Sequence, residues 1–295
     1  MRPGTDWVFP LQGLRGMGQT MATAPQLVDN VEQFKAKQRE MWALGNFGDI
    51  ATFTTYAAGH LVRFAGIRTG QKVLDVGTGT GVVAVTAARQ GAHVTGLDLT
   101  PELIEQAKAS AHVGGVQVQW DVGDAERLPY ADHSFDVVVS QFGHMFAPRP
   151  EVATAEMLRV LKPAGRIAFA TWPPEQLIGR SFALGAKFVP PPPGAVPTGL
   201  WGDPNVVRER LGAGVDDLLF ERGVIGWPAL SPMHYRSVQE AKAGPFVRAV
   251  QALKSQPERL AAYRKEFDAL VAPYLVDNVV RLEYLLTRAT KRAGA

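Results

Sequence analysis

Three observations predict an α/β fold built on a mostly parallel sheet. Between residues 72 and 172, short apolar runs rich in β-branched residues alternate with stretches of helical period. The first run, Val73-Leu74-Asp75-Val76, opens into the turn Gly77-Thr78-Gly79-Thr80-Gly81, and a helical stretch follows from Val82. Strand, bare glycine backbone and helix start, in that order, let a ligand approach main-chain amides. A second apolar run, His93-Val94-Thr95-Gly96-Leu97-Asp98, ends in an acid. At about twenty residues past Gly77, that acid is well spaced to accept hydrogen bonds from a ribose, so the two features point to a nucleoside-containing cofactor.

The elements follow in order. Strands are expected at 72–76, 93–98, 116–121, 135–140 and 165–172, with helices at 80–90, 101–112 and 150–160. Thr100 before Pro101 reads as an N-cap with proline at the first helical position. Parallel strands joined this way need right-handed crossovers. Ahead of this core, residues 27–45 carry Phe34, Met41, Trp42 and Leu44 at helical spacing and stop at Gly45. Residues 49–65 read as a second helix ending near Gly66. Beyond Trp172, Pro173-Pro174 and the stiff run Pro190 to Pro193 bracket a short helix at 175–189. Asp203-Pro204-Asn205 opens a helix over 204–212, and Asp217 to Trp227 reads as a strand. Residues 237–274 read as two or three helices broken at Gly244-Pro245 and Pro257. Arg281 to Ala289 alternates like a last strand, but Leu285-Leu286 breaks the period and leaves a helix open.

Composition excludes several classes. A chain of 295 residues can bury a large core. It has no cysteine, so disulfides and thiolate chemistry are excluded and a cytoplasmic setting is expected. The net charge of +3 is small and the basic residues are dispersed, so nucleic acid is not an expected partner. No apolar run reaches the roughly eighteen residues of a membrane span, and no His, Asp or Glu grouping has metal-ligand spacing. Residues 1–23 are expected to be a disordered leader, because their Gly- and Pro-rich start lacks any period and any secretory apolar stretch.

Which nucleoside is bound turns on the glycines. A dinucleotide fingerprint needs a distal glycine where Val82 stands, and no Lys-Ser or Lys-Thr follows to make a phosphate loop. Further motifs come in order: Gly123-Asp124-Ala125-Glu126-Arg127-Leu128-Pro129-Tyr130, then Ser134-Phe135-Asp136-Val137-Val138-Val139-Ser140, then Met157 through Lys162-Pro163-Ala164-Gly165-Arg166. With the glycine turn they cover about residues 70–172. In these four motifs the chain resembles the class I S-adenosylmethionine-dependent methyltransferases, in particular the small-molecule, quinone-biosynthesis-like branch (methyltransferase type 11). The resemblance implies a Rossmann-like, seven-stranded, mostly parallel sheet with an antiparallel last strand, helices on both faces and a helical lid. It divides the chain into N-terminal helices over the cofactor (24–65), a cofactor-binding core (66–172), a proline-rich lid segment (173–205), a core helix and strand (206–230), a helical lid insertion (231–277) and a last strand with its tail (278–295).

The same resemblance implies S-adenosyl-L-methionine as cofactor and assigns residues to it. The backbone of Gly77, Thr78, Gly79 and Gly81 would approach the methionine part, with Asp75 orienting the loop or the amino group. Asp98 would accept from the ribose and Leu99 stack on adenine. Asp124 would accept from the adenine amino group and the Ala125 amide donate to the ring, with Glu126 in the same turn. Ser140 and Gln141 end the fourth strand, and the Gln141 carbonyl would meet the cofactor's amino group. Tyr56 sits in the covering helices with Trp42, Phe47 and Phe53. His144 is the candidate general base, because its neutral form is accessible near pH 7; His234 and Tyr235 are second candidates. His60 and His112 are expected to be structural.

The expected activity is transfer of the methyl group to an oxygen, nitrogen or carbon of a small acceptor, a displacement that rests on positioning. Trp172, Phe182, Phe188 and Trp201 would suit an apolar or aromatic acceptor. The alternatives are a protein of this fold that uses the cofactor without methyl transfer, and a nicotinamide oxidoreductase, against which Val82 and Asp75 argue.

Overall fold

The computed structural model describes residues 31–44, 47–192 and 195–293. The expected leader, the start of the first helix, its Gly45 stop and the end of the proline run lie outside those residues. One sheet organises the rest. Its strands are β1 (Lys72–Val76), β2 (His93–Asp98), β3 (Gln119–Val122), β4 (Phe135–Gln141), β5 (Leu161–Thr171), β6 (Val215–Pro228), β7 (Leu275–Val276) and β8 (Val279–Lys291). They lie in the order β3-β2-β1-β4-β5-β8-β6, with β7 paired to β8. The pairs from β3 to β5 are parallel, and β8 runs antiparallel to both β5 and β6.

The helices are α1 (Val31–Ala43), α2 (Phe47–Ala65), α3 (Val82–Ala88), α4 (Pro101–Gly114), α5 (Pro150–Val160), α6 (Leu177–Phe188), α7 (Pro204–Leu211), α8 (Pro232–Lys242), α9 (Gly244–Leu253) and α10 (Pro257–Val271). In one set α2, α3 and α4 pack side by side on the sheet, and in another α5 packs on α7. A buried cluster of Val73, Leu74, Val137, Val138, Ile167, Phe169 and Leu286 forms the centre of the sheet. Helices α8, α9 and α10 pack on one another, α9 also on α1, and α10 on α6. The backbone of Gly244 lies so close to Met41 that a Cβ there would stand 2.3 Å from its carbonyl oxygen.

Several details differ from expectation. The sheet has eight strands because β7, two residues long, folds back on β8. Strand β3 starts at Gln119 rather than 116, since Gly115 ends α4 in a left-handed conformation and the Val116 amide still bonds to the Ala111 carbonyl. Thr100 stands at the N-cap of α4, but its side chain makes no cap bond; the Asp98 carboxylate accepts from the Thr100 amide instead, at 2.9 Å. Leu285-Leu286 lies in a strand despite its broken alternation. Both residues are buried because β8 is an interior strand, and such a strand needs no polar side.

Candidate cofactor and acceptor site

The C-terminal ends of β1, β2 and β4 meet at a cavity of about 290 Å³, the crevice where such sheets bind ligands. At its floor is the glycine turn. Asp75, buried at the end of β1, accepts through Oδ2 from the Thr78 hydroxyl at 2.6 Å and from the Ala84 amide at 3.2 Å, which ties the turn to α3. Asp98 accepts from the Gly79 amide at 2.8 Å and from Thr100. Burial raises the pKa of Asp75 to about 7, against the pull of those two bonds, with Asp98 adding repulsion. Burial also raises Asp98, against its backbone bonds. Gly79 has φ +56° and no atom within 4 Å of where a Cβ would sit, so this bare backbone faces open cavity.

At the end of β3, Asp124 accepts from the Glu126 amide at 2.8 Å and from Lys35 of α1 at 2.6 Å. The wholly buried Glu126 side chain also takes Lys35, at 2.6 Å, and Arg149 at 2.7 Å. Burial disfavours the Lys35 charge, but the two carboxylates outweigh it and hold its pKa above the ordinary value. Two further bonds hold α1 down: Gln38 donates to the Phe146 carbonyl at 2.8 Å and Arg39 to the Leu99 carbonyl at 3.1 Å.

The walls come from distant parts of the chain. Helix α2 contributes Phe47, Ile50, Ala51 and Thr54, the strand ends and the helices above them Trp172, Ile178, Phe182, Ile225, Trp227 and Leu282, and the last lid helices Tyr235, Gln239 and Phe246. Phe142 takes φ +58°, uncommon for a bulky residue, and stacks on Trp172 with centroids 3.9 Å apart. The charged lining residues are Lys35, Asp75, Asp98 and Asp124, all at the glycine-turn end. Several lining polar atoms have no protein partner. Gln141 donates weakly to the Thr54 carbonyl at 3.4 Å, while its Oε1 is buried and unpaired. Both ring nitrogens of His144 are buried and unpaired, beside Phe169 and Trp201. Its pKa is driven down to about 3 by burial, with Arg210 adding to the shift.

Of the residues singled out from sequence, Asp75, Gly77, Thr78, Gly79, Asp98, Leu99, Asp124, Ala125, Gln141, His144 and Tyr235 line this cavity. Five do not. Gly81 faces Trp120 and Ala107, where a Cβ would stand 2.7 Å from the Trp120 ring. Ser140 is a buried strut, donating to the Val76 carbonyl at 2.6 Å and accepting from the His144 amide at 3.0 Å. Glu126 is spent on Lys35 and Arg149. Tyr56 is 71% exposed, because the α2 face at 47, 50, 51 and 54 turns inward and 56 falls off that stripe. His234 is exposed at the first turn of α8, its Nδ1 accepting from the Leu230 amide at 3.1 Å. The sequence reading missed Lys35, Gln38, Trp227 and Gln239 as site residues. Only the helical spacing of α8, which puts 235 and 239 on one face, carried a signal for the last.

The residues present fit S-adenosylmethionine. An uncovered glycine backbone, two acids at the ends of β1 and β2, and an unpaired Gln141 oxygen offer the donors and acceptors that an aminoacyl chain and a nucleoside need. No helix among the described residues is long and apolar enough to cross a membrane, and none of their His, Asp and Glu groups could hold a metal ion.

Comparison with known proteins agrees. Residues 74–169 match the model of a methyltransferase domain family. Two uncharacterised proteins of Mycobacterium tuberculosis are each 36% identical to the chain, one over 86% of it and 93% of their own length, the other over 87% and 95%. The demethylmenaquinone methyltransferase of Deinococcus radiodurans is 37% identical over 48% of this chain and 60% of its own. Among solved structures, a Bacillus halodurans protein assigned as a methyltransferase has TM-score 0.55 at 21% identity, covering 80% of this chain and 98% of that one. The phosphoethanolamine N-methyltransferase 2 of Haemonchus contortus, in complex with S-adenosyl-L-methionine, has TM-score 0.52 at 17% identity, covering 80% and 52%. At such identities the structural likeness is one of fold, while the first two relatives share nearly the whole chain. The glycine turn, the acids after it and these matches together identify an enzyme of the class I S-adenosylmethionine-dependent methyltransferases, in their small-molecule branch, with S-adenosylmethionine as its cofactor.

Proposed function

We propose that the enzyme methylates an oxygen, nitrogen or carbon of a small apolar or aromatic acceptor, and that it works in the cytoplasm. The observation that carries this is the apolar chamber of Trp172, Phe182, Trp227 and Phe246, continuous with the glycine turn and free of charged side chains on its own side. The bound cofactor supplies an activated methyl on a sulfonium. The protein holds the nucleophile in line with it and keeps water out, and positioning of this kind can lower a barrier by roughly 7–11 kcal/mol. In this reading Asp98 and the open backbone around Gly79 hold the ribose and aminoacyl side, Asp124 and the Ala125 amide the adenine, and Gln141 the amino group. Helices α1, α6 and α8–α10 form the lid that excludes water.

We infer that His144 is not the general base. An imidazole whose conjugate acid has a pKa of about 3 is too weak a base to draw a proton from a hydroxyl. Its unpaired nitrogens serve as hydrogen-bonding groups of the chamber. The acceptor is therefore one that is nucleophilic while uncharged, such as a neutral amine or an electron-rich carbon. The test is to incubate the purified enzyme with methyl-labelled S-adenosylmethionine and a panel of such compounds, scoring labelled product. Label transferred only to charged, polar acceptors would overturn the reading. Calorimetry with S-adenosylmethionine and with NADH separates the oxidoreductase alternative.

A further inference from the structure

Helix α8 carries two polar residues that nothing in the fold explains. Tyr235 and Gln239 are one helical turn apart, both buried, and both line the cavity. Side chains at this spacing are neighbours on one helix face. Among the described residues neither the Tyr235 hydroxyl nor the Gln239 amide has a hydrogen-bond partner in the protein, and neither is sealed off from the cavity that both residues line. The Tyr235 ring is held edge-on against Trp227 and parallel to Phe267, so the hydroxyl is fixed in place. Both groups are left to bond whatever enters the cavity. Core packing alone would be served as well by Phe and Leu.

We propose that Tyr235 and Gln239 together recognise one uncharged polar atom, a hydroxyl or carbonyl, on an otherwise apolar aryl acceptor, and that the chamber rejects acceptors carrying a carboxylate or phosphate. The proposal rests on the reading of this cavity as the acceptor chamber. The hydroxyl can donate or accept, and the amide offers one acceptor and two donors. The pair therefore satisfies either polarity of acceptor group. The rejection follows from the charge census. Lys35 is the only lining cation among the described residues, and Asp124 and Glu126 already hold it at the far end. An anion entering the chamber would be stripped of water with no lining counter-charge to receive it, since Arg210, which acts on His144, is not among the lining residues.

The test titrates the enzyme with 2-naphthol, naphthalene and 2-naphthoate by calorimetry, with and without S-adenosylhomocysteine. One hydrogen bond gained predicts that 2-naphthol binds roughly 2- to 10-fold tighter than naphthalene. 2-Naphthoate should bind at least about tenfold weaker than 2-naphthol. Tyr235→Phe and Gln239→Leu, which keep the packing, should each lower the naphthol-to-naphthalene ratio toward one without weakening naphthalene binding. A purely structural role would not move that ratio. An unchanged ratio in both variants, naphthoate binding as tightly as naphthol, or no aryl binding at all would overturn the proposal. The affinity for S-adenosylhomocysteine, read in the same titrations, reports on the cofactor site. Its loss with the aryl selectivity kept would count against the proposed activity and not against this pair.

Discussion

Gly77 and Gly143 meet backbone to backbone, with a Cβ on Gly143 falling 2.4 Å from the Gly77 carbonyl oxygen and one on Gly77 falling 2.8 Å from the Gly143 Cα. The glycine turn after β1 and the turn after β4 thus interlock, and this contact sets the floor of the cavity.

Gly143→Ala and Gly79→Val should therefore fail differently. At Gly143 the methyl has only backbone to displace, so the turns must part, costing about 1–3 kcal/mol of stability and weakening S-adenosylhomocysteine binding with it. At Gly79 there is room, so the stability cost is limited to the left-handed strain, roughly 1–2 kcal/mol, but the side chain occupies ligand space and binding should fall more than about tenfold. Thermal melts beside calorimetry check the contrast. Wild-type affinity in a folded Gly79→Val protein would sink the assignment of this turn to the cofactor.

Asp75 and His144 predict opposite pH slopes in stability. Burial raises the folded pKa of Asp75 from 3.8 to about 7, so the folded state holds its proton longer than the unfolded chain. Stability from this group should fall as pH rises from about 4 to 7, by up to about 4 kcal/mol. His144 is depressed from 6.5 to about 3, so the unfolded chain takes up the proton first and stability is lost as pH falls through that window. Urea denaturation from pH 4 to 8 should show the wild-type-minus-variant difference sloping one way for Asp75→Asn and the other way for His144→Phe. Parallel curves would refute both assignments.

For catalysis, His144 should add no limb to the pH–rate profile between pH 5 and 9, since it is neutral throughout. His144→Gln should cost less than about tenfold in turnover, against the 10²–10⁴ expected of a general base. A limb near pH 6.5 in the wild type that disappears in the variant would restore the histidine to that role.

Lys35 ties α1 to the adenine end of the site. Lys35→Met leaves Asp124 and Glu126 facing each other with only Arg149 to balance them, and breaking a buried ion pair in this way costs about 3–5 kcal/mol. Hydrogen exchange should then speed up in α1 and α9, and S-adenosylhomocysteine should protect them less than in the wild type. Unchanged exchange in α1 would show that Lys35 does not latch this helix.

The order of strands and helices was legible because it is written locally. Apolar period, Pro101 and Pro150 at helix starts and the glycines after Val76 act within a few residues, and the acids Asp75 and Asp98 close the strands that carry them. What bonds those acids make was not legible. Asp98 holds the Gly79 amide, Glu126 serves Lys35 from 91 positions away, and Tyr56 turns to solvent while Thr54 turns in. Leu285-Leu286 was ambiguous for the same reason, since being a strand covered on both faces is a property of its neighbours. The sequence by itself determined the element order, the glycine turn and the class of cofactor. Tertiary structure alone decided which polar groups are spent on the fold and which, like Tyr235 and Gln239, line the cavity without a protein partner, because hydrogen-bond satisfaction depends on partners that only the folded chain brings within 3 Å or so.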